Sequence, residues 1–195
     1  MIINKSKCTI QKLAQLIRKL VVACPAIEYG WLHTKTFKKI KIDALKKNND
    51  NYKKIIILPK NKMLDDLNWW KNNLKESINF IKTNKYDKII YTDASSTGWR
   101  ATDLKNDRYG FWNEKEKKLH INYLELLTIK IALTELGNNL HDCQILLRVD
   151  NTTAICYINR MGGVKNEKYH LLAKEIWDWA KKKHFSVRFL HCFKI

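Results

Sequence analysis

The chain has 195 residues, of which 45% are hydrophobic, and it contains seven tryptophans and eight tyrosines. This length and apolar content suffice for one ordinary domain plus an extension, and they exclude a disordered chain. The formal net charge of +18 favours polyanionic partners. The excess is concentrated in residues 1–87, which carry 19 basic against 7 acidic residues.

The cysteines and the apolar runs bear on the compartment. Five cysteines are scattered over the chain without CxxC or zinc-type spacing, at positions 8, 24, 143, 156 and 192. An odd number of scattered cysteines predicts reduced thiols in an intracellular protein of the nucleus or cytoplasm, not a secreted one. The sequence shows no signal-peptide pattern and no apolar run of membrane-spanning length, so we expect no membrane partner.

The first part of the chain predicts basic helices. Apolar residues at helical spacing indicate helices over 9–23, 37–47 and 63–80, and Pro25 ends the first of them. The polar run 82–87 predicts a domain boundary, which separates a basic helical segment, 1–87, from a second domain, 88–195. We assign no catalytic group to the first segment, and its predicted role is packing and positively charged contact.

The second part changes to short β-prone runs alternating with helices. Strands are predicted at 88–94, 98–102, 108–112, 144–149 and 185–191, and helices at 122–136, 152–160 and 165–183. The order βββαβααβ predicts an α/β fold with a mixed sheet and helices packed on it.

Three acids stand at informative places in this pattern. Asp93 lies on the first of these strands, Glu125 in the first turn of the following helix, and Asp150 at the carboxyl end of the fourth strand, where functional groups gather in open α/β sheets. Converging carboxylates repel one another unless a divalent cation neutralises them, and Mg²⁺ prefers carboxylate oxygens. The alternative is structural: a turn at Asp93, a dipole-stabilised Glu125 and a helix cap at Asp150.

Other conspicuous residues favour structural roles. His120 precedes a helix and is expected to cap it or pack, not to act in catalysis. Gly162 and Gly163 suit a helix stop and lack the context of a phosphate-binding loop. Four tryptophans are expected in the core and at domain contacts and not as base-stacking platforms: Trp69, Trp70, Trp177 and Trp179.

Several motifs in the second part occur in a family-specific order. They are Tyr-Thr-Asp-Ala-Ser-Ser-Thr-Gly-Trp at 91–99, Gly-Phe-Trp at 110–112, His-Ile-Asn-Tyr-Leu-Glu-Leu-Leu at 120–127, Val-Asp-Asn-Thr-Thr-Ala at 149–154 and Tyr-Ile-Asn-Arg-Met-Gly-Gly at 157–163. This set resembles the ribonuclease H domain of retroelement reverse transcriptases, with DIRS-type retrotransposons the most similar. Residues 9–80 resemble, more weakly, the segment that joins the polymerase and nuclease parts in these elements.

The resemblance implies a ribonuclease H-like fold and a two-metal hydrolysis of the RNA strand of RNA–DNA hybrids during reverse transcription. It assigns the catalytic and Mg²⁺-binding carboxylates to Asp93, Glu125 and Asp150, with two Mg²⁺ ions. Ala94, Ser95 and Asn122 are the equivalents of substrate-contacting positions. The implied partners are the RNA–DNA hybrid and the polymerase part of a reverse transcriptase.

The sequence departs from the family at one catalytic position. A fourth acid follows the last strand in the family, whereas Cys-Phe-Lys-Ile, 192–195, stands here, and Asp178 lies within the preceding predicted helix. We therefore expect an incomplete site, as in a truncated ribonuclease H-like domain from a polyprotein fragment, a degenerate copy or an incomplete gene. The alternatives are a catalytically dead nucleic-acid-binding remnant or scaffold, and a domesticated remnant with another cellular role. Integrase-like enzymes share the fold but place their Glu last among the acids.

Overall fold

The computed structural model describes residues 6–75, 79, 85–183 and 186–191. The chain divides into two compact units, with the division between residues 82 and 83. Each unit contains helices and a β-sheet of its own.

The first unit is mainly helical. Its elements are β1 (Lys7–Thr9), α1 (Ile10–Ala23), α2 (Lys35–Lys47), β2 (Ile55–Ile57) and α3 (Lys60–Asn73), with short 3₁₀ turns at Cys24–Ala26 and Leu32–Thr34. The side chains at the centre of its core are buried and apolar: Leu13, Ile17, Phe37, Met63 and Trp70. The predicted helices are present, because their apolar residues recur at helical spacing and face this core.

Two details of the first unit differ from the sequence prediction. The third helix begins at Lys60, directly after Pro59, and ends at Asn73, whereas the prediction ran over 63–80; residues 76–78 and 80 lie outside the described residues. The short strands β1 and β2 were not predicted. They pair in antiparallel fashion, with Cys8 opposite Ile56, and three-residue strands are too short for an alternating pattern to show.

The second unit has the predicted order βββαβααβ. Its elements are β3 (Lys88–Ala94), β4 (Gly98–Thr102), β5 (Asp107–Phe111), α4 (Ile121–Gly137), β6 (Gln144–Val149), α5 (Thr152–Asn159), α6 (Glu167–Lys182) and β7 (Ser186–His191), with a 3₁₀ turn at Glu116–Lys118. The sheet order is β5-β4-β3-β6-β7. The first three strands pair in antiparallel fashion, and β6 lies parallel to both β3 and β7. The predicted α/β fold class, a mixed sheet with helices after a mainly helical segment, is confirmed.

Helix α4 is the central helix of this unit. It packs against β3 and β4 on one side and against α5 and α6 on others. A helix enclosed in this way must be apolar over most of its circumference, and its buried residues include Leu124, Leu126, Ile129 and Leu133. Ile90 and Thr92 of β3 are buried as well. The surrounding core therefore fixes α4, and with it Glu125, relative to the sheet.

Two of the four tryptophans predicted to be structural lie in a core, and the glycines predicted to stop a helix follow one. The indoles of Trp70 and Trp177 are buried and donate hydrogen bonds to the carbonyls of His33 and Ile158, at 2.9 and 3.0 Å. Gly162 follows α5 with φ of +92°, a conformation that favours glycine.

The thiols of the four described cysteines are free, and Cys192 lies outside the described residues. Among the described residues no helix has the length and apolarity needed to cross a bilayer.

Gly98 allows close approach between β4 and β5. A Cβ at this position would lie 2.4 Å from the carbonyl oxygen of Gly110 on the neighbouring strand. Because a backbone atom cannot move aside as a flexible side chain can, we expect Gly98→Ala to lower the free energy of unfolding by about 2 kcal/mol. Urea unfolding measures this, with the exposed Ser96→Ala as the control in the same turn. Equal midpoints for Gly98→Ala and the unsubstituted protein would contradict the prediction.

Candidate metal centre

Three carboxylates meet at one end of the sheet of the second unit. Asp93 is the penultimate residue of β3, Asp150 directly follows β6, and Glu125 projects from α4. Each carboxylate offers an oxygen, and these oxygens all lie within 4.8 Å of one another. The structure thus brings together the three acids that the sequence analysis identified as candidate metal ligands.

The strand pairing explains how residues 57 positions apart become neighbours. Strands β3 and β6 run parallel, with Thr92 opposite Val149. The residues that follow this pair are Asp93 and Asp150, so the two acids lie side by side at the carboxyl edge of the sheet. Helix α4 packs against β3 and supplies the third carboxylate.

Glu125 is the buried member of this cluster. It is 3% exposed, while Asp93 and Asp150 are accessible to solvent. The pKa of Glu125 is raised to about 7, chiefly by burial and in addition by the negative charges of Asp150 and Asp93, while a hydrogen bond from the backbone N–H of Ala94 opposes the shift. The Oε2 atom of Glu125 is buried and has no hydrogen-bond partner among the described residues. An ionised carboxylate in this position requires a compensating positive charge.

The structural alternative for the three acids is wrong at each position. Asp93 lies within β3, opposite Arg100, and Ser95 organises the turn that follows by accepting the backbone N–H of Thr97 and Gly98. Glu125 is the fifth residue of α4, beyond the first turn, where the helix dipole no longer stabilises an acid.

The cap assigned to Asp150 belongs to its neighbour. Asn151 caps α5 by accepting the backbone N–H of Ala154 at 2.9 Å. The predicted capping role of His120 is confirmed, because its Nδ1 accepts the backbone N–H of Asn122 at 3.1 Å.

The donor set fits Mg²⁺. All three side chains offer carboxylate oxygens, the hard ligands that Mg²⁺ prefers. The Oε2 of Glu125 has no partner among the described residues, and its carboxylate lies in a cluster with two further acids, so a bound cation would supply a partner and remove the mutual repulsion. The position at which the family has a fourth acid, 192–195, lies outside the described residues. Asp178 is part of α6, as the sequence predicted.

The residues predicted to contact substrate take different places around this cluster. The backbone N–H of Ala94 is directed at Glu125. The hydroxyl of Ser95 is engaged in its own turn, 3.0 Å from the hydroxyl of Thr97. Asn122 lies one turn before Glu125 on α4 and hydrogen-bonds to Asn151 and Thr153. Asn151 and Thr153 were not assigned a role from sequence, because their partner lies 29 and 31 residues away.

Comparison with known proteins gives similarities of structure only. No protein-family model and no curated protein matches the chain. It is similar to LC11-RNase H1, a protein isolated from compost by a metagenomic approach and solved with an RNA/DNA hybrid, at 20% identity and a TM-score of 0.43 over 53% of this chain and 83% of that one.

A second similarity extends over nearly the whole chain. The foamy viral protease-reverse transcriptase, solved with an RNA/DNA hybrid, matches 95% of this chain and 25% of its own length at 10% identity, with a TM-score of 0.34. These values are low, so the function must be inferred from the residues of the chain itself.

Proposed function

We propose that the second unit is a Mg²⁺-dependent endonuclease that hydrolyses the RNA strand of RNA–DNA hybrids. The observation that carries this proposal is the cluster of Asp93, Glu125 and Asp150, in which a buried carboxylate oxygen lacks a partner among the described residues. The order of the motifs around these acids, which resembles that of retroelement ribonuclease H domains, supports the choice of substrate.

Each residue of the cluster has a definable part in the reaction. Asp93 and Asp150 present oxygens at the solvent-accessible edge of the sheet, where a phosphodiester can approach. Glu125 closes the cluster from the core side and is held by the N–H of Ala94. When bound, two Mg²⁺ ions supply the activation of a water molecule and the stabilisation of the departing oxygen.

Recognition of RNA requires groups that read the sugar. The 2′-hydroxyl, both donor and acceptor, distinguishes RNA from DNA at a given site. Asn122 is suited to this reading, because its carboxamide lies on α4 one turn before Glu125. Ser95, in the turn directly after β3, is the other side chain that we place beside the substrate.

Cleavage of a labelled hybrid tests the proposal. We expect an RNA strand annealed to DNA to be cut in the presence of Mg²⁺, while duplex DNA of the same sequence stays intact and EDTA stops the reaction. Asp93→Asn protein purified in parallel controls for contaminating nuclease. A hybrid that remains intact at high protein and Mg²⁺ concentrations would exclude the activity.

The same experiment distinguishes a second candidate, a nucleic-acid-binding module without activity. Helix α2 favours it, since five lysines that are at least partly exposed and a single aspartate lie between Lys38 and Lys47. Binding through such a surface weakens steeply as the salt concentration rises, because counterions are released from the phosphates. Salt-sensitive binding without cleavage would support this candidate over the nuclease.

We also propose an origin and a setting for the chain. The likeness of residues 9–80 to the joining segment of DIRS-type elements supports a retroelement origin, with 1–87 as a connection segment and 88–195 as the nuclease-like domain. The polymerase part of a reverse transcriptase is then a natural partner. Free thiols at the four described cysteines support an intracellular setting in the nucleus or cytoplasm.

A further inference from the structure

A chain of side-chain hydrogen bonds joins α4, which carries Glu125, to the start of α5, which closely follows Asp150. The Nδ2 of Asn151 donates to the Oδ1 of Asn122 at 2.9 Å, and the Nδ2 of Asn122 donates to the hydroxyl of Thr153 at 3.3 Å. Asn151 follows Asp150 directly, and Asn122 lies one turn before Glu125. The α4 and α5 ends are therefore tied together beside the carboxylates.

The direction of these hydrogen bonds is fixed by a backbone group. The backbone N–H of Ala154 in the first turn of α5 can only donate, so the Oδ1 of Asn151 must face it, as observed at 2.9 Å. The NH₂ group of Asn151 is thereby turned toward Asn122, which must offer its carbonyl oxygen. If the Asn122 carboxamide were turned over, two NH₂ groups would face each other.

The remaining donor capacity of Asn122 points to a role in recognition. Its carbonyl is occupied by Asn151, and its NH₂ group has a second hydrogen beyond the one given to Thr153. We propose, building on the proposed function, that Asn151 is a positioning residue: it holds the Asn122 carboxamide so that an N–H donor, and not a carbonyl, is offered to the substrate beside the carboxylates.

The matching group on the substrate is a hydrogen-bond acceptor on the minor-groove side of the hybrid. Two sources offer one: the ribose 2′-oxygen, and the acceptor atoms N3 of purines or O2 of pyrimidines. A single N–H donor can form a hydrogen bond with either acceptor. Hybrids that lack one or the other acceptor distinguish the two.

Asn151→Asp should turn over the carboxamide of Asn122 while preserving the N-cap of α5. Aspartate caps a helix as well as asparagine does, so α5 retains its first hydrogen bond. The introduced carboxylate accepts where the amide donated, and the Asn122 carboxamide then turns its NH₂ toward it. Its carbonyl is left for the hydroxyl of Thr153, which can donate. The matched control is Asn166→Asp, since Asn166 caps α6 by accepting the backbone N–H of Tyr169.

Hybrid binding is measured by fluorescence anisotropy with Ca²⁺ in place of Mg²⁺. Three hybrids are compared: unmodified, with a single 2′-deoxynucleotide, and with a single 3-deazaadenine, each modification placed at successive positions. For the wild-type protein and Asn166→Asp we expect one modification to weaken binding about fivefold, the worth of one neutral hydrogen bond. For Asn151→Asp we expect the same modified hybrid to bind as tightly as the unmodified hybrid does. The added negative charge weakens all hybrids alike, so the ratio between hybrids carries the result.

A second readout needs no substrate. In ¹H–¹⁵N spectra the Asn122 side-chain amide, identified by its disappearance in Asn122→Asp, should shift in Asn151→Asp and stay in place in Asn166→Asp. An unmoved signal, or wild-type sensitivity to both modified hybrids in Asn151→Asp, would overturn the inference. Failure of the proposed function has a different signature: the hybrid stays uncut with Mg²⁺, while the amide shift is still observed.

Discussion

Asp93→Asn and Asp150→Asn are each expected to lower the rate of hybrid cleavage by roughly a thousandfold, or about 4 kcal/mol in the activation free energy. Each substitution exchanges a charged oxygen for a neutral amide of the same shape at the solvent-accessible edge of the cluster. The isosteric change leaves the packing of β3 and β6 intact. The expected loss of rate therefore comes from the removal of one negative charge that compensates the bound cation and of one charged ligand of that cation.

The control for this prediction is Asp178→Asn, which makes the same chemical change on α6. It is expected to leave the cleavage rate unchanged. Initial rates on a labelled hybrid, measured over a range of Mg²⁺ concentrations, compare the three variants. Retention of more than about a tenth of the rate by Asp93→Asn, well short of the expected loss, would show that this carboxylate does not bind the catalytic metal.

The sheet of the second unit could be predicted because its strands carry their own evidence. Lys88–Ala94 and Gln144–Val149 are short apolar runs with an acid at or next to their carboxyl ends, and their observed bounds equal the predicted ones. Helix α4 was predicted from its dense apolar sequence, and its enclosure by the sheet and by α5 and α6 explains that density. The convergence of Asp93 and Asp150 follows from the parallel register of β3 and β6, which the prediction of a mixed sheet allowed but did not specify.

What the sequence did not reveal depends on contacts between distant positions. The β1–β2 pair joins residues almost fifty positions apart through strands of three residues, each too short to show a period. The hydrogen bond between Asn122 and Asn151 depends on how α4 and α5 meet, and neither residue type indicates its partner. The cap was assigned to Asp150 instead of Asn151 because both residue types cap helices well, and only the strand end decides between them.

Glu125→Gln is expected to stabilise the metal-free protein at neutral pH while abolishing hybrid cleavage. The pKa of Glu125 is raised from its ordinary value near 4.5 to about 7, because the carboxyl is buried and faces Asp150 and Asp93. Between these two pH values the folded protein keeps a proton that the unfolded chain releases. The free energy of unfolding must therefore fall as the pH rises from about 4.5 to 7, by a total of about 3 kcal/mol.

Glutamine removes this pH dependence because it carries no charge at any pH. Chemical denaturation in EDTA between pH 5 and pH 8 should show a stability that falls for the wild-type protein and changes less for Glu125→Gln. Taking the difference between the two proteins cancels the contributions of other titrating groups. The control is Glu135→Gln on the same helix, an exposed glutamate whose carboxylate lies 4.0 Å from Arg108 and contributes little to stability.

Addition of Mg²⁺ provides the opposite test at the same position. A cation that binds only the folded state raises the melting temperature, and its affinity depends on the three carboxylates. We expect Mg²⁺ at pH 8 to stabilise the wild-type protein and Glu135→Gln, and to have little effect on Glu125→Gln. Suppose that the free energy of unfolding depends on pH in the same way for the wild-type protein and Glu125→Gln, and that Mg²⁺ stabilises both equally. This result would contradict both the raised pKa of Glu125 and its place in the metal site. If instead the two pH profiles differ and Mg²⁺ fails to stabilise Glu125→Gln, the buried carboxylate lowers the stability of the metal-free protein and also serves in the metal site. Catalytic groups commonly lower stability in this way.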